Sequence, residues 1–78
     1  MRLVGVSGKN LLVIEELPDG TYLYEFRPDG FIGDTWHRTL DDAKDQATFS
    51  HGLAHENWHP VPENATDAEV YGRQLFKL

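Results

Sequence analysis

A chain of 78 residues makes one domain with a modest core, because a polypeptide this short buries only about 60% of its unfolded surface. Its 40% hydrophobic, 26% charged and 12% aromatic residues exclude a disordered chain, and the lack of cysteine excludes disulfides, thiolate zinc sites and a cysteine nucleophile. Thirteen acidic residues against seven basic ones give a net charge of −6, which disfavours nucleic acid and anionic membranes as partners and favours a basic protein surface.

The elements follow in chain order. "RLVGV" is short, apolar and β-branched, "SGKN" reads as a turn, and "LLVIEEL" is a second apolar run, so the two form a hairpin. Pro18-Asp19-Gly20 turns the chain into "TYLYEFR", where Tyr22, Tyr24 and Phe26 share one face and Leu23, Glu25 and Arg27 the other. Pro28-Asp29-Gly30 closes that strand and leads into "FIGDTW". In both turns proline presets its torsion, aspartate tolerates the bend and glycine supplies positive φ. Tight connections imply antiparallel neighbours and a meander.

The pattern then becomes helical. Thr39 is the expected N-cap of a helix from about Leu40 to His51, with Asp42 completing a capping-box variant and Asp41, Asp42 and Asp45 favoured by the dipole. Ala43 and Ala47 are small enough for the helix to lie close on the sheet, and Gly52 is the expected terminator. "NWHPVP" could be a short edge strand, where proline is tolerated. "TDAEVYGRQLFKL" is read as a helix opened by a Thr66–Glu69 capping box, with Ala68, Tyr71, Leu75 and Leu78 on its buried face, although Gly72 leaves a strand open. The expected fold is α+β: an antiparallel meander of three to four strands, one main helix packed on one face and a C-terminal helix, with both helices on the same face.

"HENWH", His55 to His59, matches the H-E-x-x-H zinc-peptidase signature, in which two histidines one turn apart bind metal and the glutamate activates water. His51 lies four residues earlier, so His51, His55, His59 and Glu56 are the residues a metal would take. The signature works only within a helix, and Pro60 directly after His59 disfavours helical geometry there. The reading is therefore of histidines around a helix end, with no metal, no cofactor and no catalytic residue. Trp36 and Trp58 each precede a histidine and are expected, with the tyrosines, to be the main packing mass. The Tyr22, Tyr24, Phe26 stripe could stack nucleic-acid bases. It lacks cations around it, since the seven run from Arg2 to Lys77 with no two adjacent, so it too is expected in the core. "GVSGKN" fails the phosphate-loop spacing, and Ser7 and Ser50 lack the context of a nucleophile.

"GDTWHRTLDDAKDQATFSHG" followed by a tryptophan and "V-P" resembles a pattern in small bacterial proteins of unknown function. The likeness spans about Asp19 to Pro62 and is carried by Gly33, Asp34, Thr35, Trp36, His37, Leu40, Ala43, Gln46 and Ala47. It implies membership without an activity. A weaker likeness is to HicB-type antitoxins, from which this chain departs by "WHR" between Thr35 and Thr39. With no apolar leader and no apolar run of membrane-spanning length, the expectation is a cytoplasmic, non-enzymatic interaction protein of antitoxin or immunity type. The alternative is a metal-binding protein or metal-dependent hydrolase built on the histidine cluster.

Overall fold

The computed structural model describes residues 1–78. Four strands, β1 (Arg2–Ser7), β2 (Asn10–Leu17), β3 (Gly20–Arg27) and β4 (Gly30–His37), form the expected antiparallel meander. A fifth strand, β5 (His59–Pro60), pairs antiparallel with β1, giving the sheet order β4-β3-β2-β1-β5. The sheet thus has five strands rather than three or four. The additional one falls in the Trp58–Pro62 segment, where Pro60 permits an edge but no further pairing.

Each connection in the meander is two residues long, and the glycines closing the Pro-Asp turns take φ of 148° at Gly20 and 140° at Gly30. These are values that a side chain at either position would resist. Ile32 is a bulge residue: Glu25 pairs with Gly33, but Phe26 already pairs with Phe31.

Helix α1 (Leu40–His51) has the expected N-cap, Thr39, and forms the Thr39 half of the capping box. The Thr39 hydroxyl accepts from the Asp42 N–H at 3.1 Å, and Gly52 ends the helix at φ 69°. Ala43 and Ala47 are fully buried against Leu12, Ile14 and Leu23, so α1 lies over β2, β3 and β4. Beyond α1, Leu53 and Trp58 cover β1 over Gly5, where a Cβ would stand 2.5 Å from Leu53 Cδ2 and 3.2 Å from the Trp58 ring.

Helix α2 (Ala68–Phe76) takes the opposite face. Leu3, Leu12 and Ile14 pack on the α1 side, whereas Val4, Leu11 and Val13 pack with Ala68, Tyr71 and Phe76. Adjacent residues of a strand point to opposite sides, so the expectation of both helices on one face is corrected. The cap is also shifted. Asp67, not Thr66, accepts from the Val70 N–H at 3.1 Å. The buried side is Ala68, Tyr71, Gly72 and Phe76, while Leu75 and Leu78 are exposed. The reason is Gly72: a Cβ there would stand 2.6 Å from Leu11 Cδ1, so its absence lets α2 rest on β1 and β2. The glycine that made the helix ambiguous is its point of contact. No helix is long and apolar enough to cross a membrane.

Candidate functional site

Because α2 sits over β1 and β2, it leaves the same face of β3 and β4 uncovered. The Tyr22, Tyr24, Phe26 stripe lies there, and all three are only half-buried. The expectation that they form the core holds only in part: Tyr24 and Phe26 pack against the Val4, Leu11 and Val13 cluster while keeping an exposed side, Tyr22 lies outside it, and the buried side chains of this strand are Thr21 and Leu23, on the α1 side. β4 adds Phe31 and Trp36 to the open face, 55% and 53% exposed. Of the two tryptophans, only Trp58 belongs to the packing mass.

The rings form a connected surface. Tyr22 and Tyr24 stack with centroids 6.1 Å apart and planes 15° off parallel, Phe31 sits 6.4 Å from Tyr24, and Phe26 lies 5.4 Å from Phe31. Trp36, cross-strand from Tyr22, lies against the bare backbone of Gly20, where any Cβ would collide with its indole. Its Nε1–H donates to the Asp19 carbonyl at 3.2 Å. The indole is thereby held in place with its outer surface in solvent.

Carboxylates border these rings. Tyr22 donates to Asp19 and Tyr24 to Glu15, each at 3.0 Å. Asp34, paired with Tyr24 on β4, is exposed and has no cation beside it. The Asp19 carboxylate raises the Tyr22 phenol above its ordinary range through its hydrogen bond. Partial burial, with the bond to Glu15 and the nearby Asp34 charge, pushes Tyr24 up to about 12. Both phenols are donors to these carboxylates. A groove of about 250 Å³ continues the face towards α2, with Glu15, Tyr24 and Phe26 on its floor, Asp67 and Glu69 on its wall and one cation, Arg2, which donates to the Pro62 carbonyl; Glu69 is held by Arg73. Aromatic rings framed by carboxylates attract cations both by charge and through the ring quadrupole.

A larger cleft, about 610 Å³, holds Lys9 from the β1–β2 turn together with Arg73 and Lys77 at the end of α2. Asp29 and Glu69 share that cleft, and Arg73 is already engaged by Glu69 at 2.9 Å and by the Arg27 carbonyl. Three cations and two carboxylates share the cleft and one cation is already paired, so the charges there are mixed.

The residues of the zinc-like signature are dispersed. Only His55–Asn57 turn, as one 3-10 turn; Trp58 is extended and His59 belongs to β5, in keeping with Pro60 after it. His51 Nε2 stands 3.4 Å from Glu25 on the α1 side. His55 Nε2 meets Asp45 at 2.7 Å. His59 lies edge-on to Phe76 of α2, centroids 5.5 Å apart, so the sheet stands between it and His51. Glu56 is exposed, and no three metal-ligating side chains gather at one point.

The arrangement defines a class by shape rather than by catalytic residues: a five-stranded α+β protein with one helix on each face and an open, acid-bordered aromatic surface. Compared with family models, with curated proteins and with solved structures, the chain matches none. The likeness carried by Gly33–Ala47 therefore rests on those residues alone.

Proposed function

We propose that this is a cytoplasmic, non-enzymatic protein-interaction module, antitoxin- or immunity-like, and that its partner presents a basic surface to the β3–β4 face. The observation that carries the reading is the half-exposed Trp36 ring, seated over Gly20 cross-strand from Tyr22, with Tyr24 stacked on Tyr22 and Glu15, Asp19 and Asp34 around them. The small size and the charge of −6 agree with it. Exposed contiguous aromatic surface is costly to leave in water, and on a small protein it marks a place of contact. Tyrosine and tryptophan are also the residue types that dominate interface energetics.

The test is titration of isotopically labelled protein with a disordered lysine-rich peptide and, separately, with duplex DNA. The peptide is expected to shift the resonances of Tyr22, Tyr24 and Trp36, with an affinity that falls as salt rises. The duplex is expected to shift none of them. Peptide shifts confined to the Lys9–Lys77 cleft, or spread evenly over the surface, would overturn the reading.

A further inference from the structure

The two edges of the sheet are finished differently. β5 pairs only two residues, and one of them, Pro60, has no N–H to offer. β4 runs eight residues, Gly30–His37, and contains neither proline nor lysine. No hydrogen bond from the rest of the chain reaches its outer side. A long unpaired edge is a template for another strand, and proteins normally blunt it with lysine, proline or a covering element. The bulge at Ile32 and the single charge of Asp34 are the devices present here, and the Phe31, Ile32 and Trp36 side chains along the edge are 55%, 44% and 53% exposed.

We propose that β4 accepts an extended basic segment of the partner as a sixth strand, with alternate lysine or arginine side chains lying over Asp34 and the aromatic rings. The inference rests on the reading of the β3–β4 face as the binding surface. Strand addition would satisfy the idle N–H and C=O groups of β4, which gives affinity without sequence preference. Preference would come from the side chains. Every second residue of the added strand falls on the side of Phe31, Asp34 and Trp36, where a cation meets a carboxylate and ring faces. Residues between them fall on the α1 side, where Gly33 leaves room: a Cβ there would find nothing within 4 Å. A second copy of this chain is a poorer occupant. Gly30–His37 holds no lysine or arginine to set against Asp34, and each copy carries a net charge of −6.

The probe is a short synthetic peptide alternating lysine and valine. One control alternates glutamate and valine. A second keeps the lysine sequence but carries N-methyl groups on alternate backbone nitrogens, which removes the donors along one edge. The lysine peptide is expected to slow amide hydrogen exchange along β4 and to bind at least about tenfold more tightly than its N-methylated form, the worth of one to two net backbone hydrogen bonds. The glutamate peptide is expected not to bind. Trp36→Ala is expected to weaken the lysine peptide by about fivefold, the scale of an exposed cation–π contact. If the peptide shifts the Tyr22, Tyr24 and Trp36 resonances but leaves β4 exchange unchanged, and the N-methylated form binds equally well, strand addition is wrong while the face remains the binding surface. If neither lysine peptide binds, both readings fall. If the protein alone sediments as a dimer with β4 amides already protected, the occupant is a second copy and the proposal is overturned.

Discussion

Each edge of the sheet carries the same dipeptide, and the two copies have opposite fates. Trp58-His59 leads into β5, and its indole is 8% exposed, folded over Gly5 against Leu53. Trp36-His37 ends β4, and its indole is 53% exposed, lying over Gly20 with its other surface in water. Both rings rest on a glycine, so the local recipe is the same. What differs is the second wall. Trp58 has the continuation of α1 beside it, whereas α2 stands on the far half of the face from Trp36. A tryptophan on a strand glycine becomes core only if a second element covers it, and the placement of that element is a long-range decision.

That comparison can be broken experimentally. Trp58→Ala is expected to lower unfolding free energy by about 3–5 kcal/mol, the usual loss for a large buried aromatic, measured by denaturant melts. Trp58→Phe should cost much less, because the buried indole N–H has no acceptor to lose. Gly5→Val is expected to cost about 1–3 kcal/mol, since overpacking would drive Leu53 and Trp58 off the sheet. Trp36→Ala is expected to cost no more than about 1 kcal/mol, the scale of a cross-strand contact. If the two tryptophan-to-alanine variants melt alike, the contrast between the edges is wrong. His55→Ala with His59→Ala should cost about 1 kcal/mol or less, because the His55–Asp45 pair is a surface one and His59 is exposed. Zinc titration into chelator-treated protein checks the same residues. A submicromolar constant abolished in the double variant would restore the metal reading.

The smallest effect is in alkali. The Tyr24 phenol is held up to about 12 in the folded protein against 10.0 for the free side chain. A group whose folded value is raised contributes stability that is complete below the unfolded value and lost as pH climbs through the folded one. Its contribution is therefore full below pH 10.0, declines above it, and is gone beyond about 12. Tyrosinate absorbance should show a late-titrating component near that upper value, and Tyr24→Phe should remove it. A late component that persists in Tyr24→Phe would refute its assignment to Tyr24; Glu15→Gln is expected to lower it only in part, because burial is the larger cause.

Much of the fold was legible because the signals were local. The Pro-Asp-Gly turns, the Thr39 cap, the Gly52 stop and the small Ala43 and Ala47 each act within a few residues, and each stands where the sequence placed it. The short strand in Trp58–Pro62 was legible through Pro60. The face taken by α2 was not. Gly72 looks the same whether it breaks a helix or lets one approach, and only Leu11 and Val4 beneath it decide between them. The aromatic stripe failed in part for a related reason: period-two alternation marks the two faces of a strand, not which one is covered. The histidines illustrate the converse. Their spacing of four suggested convergence, but spacing has meaning only within one helix, and the chain leaves the helix at Gly52.

Pro60 also bears on stoichiometry. An assembly that grows by strand addition needs two live edges on every subunit, one to receive and one to offer, and closes or stops when either is missing. Here the receiving edge is eight residues long and the opposite edge pairs only two, with the proline among them. A chain that engages a neighbour through β4 has no comparable edge left to pass on. If β4 takes a partner strand, successive addition of further copies of this chain through the sheet has no second long edge to use.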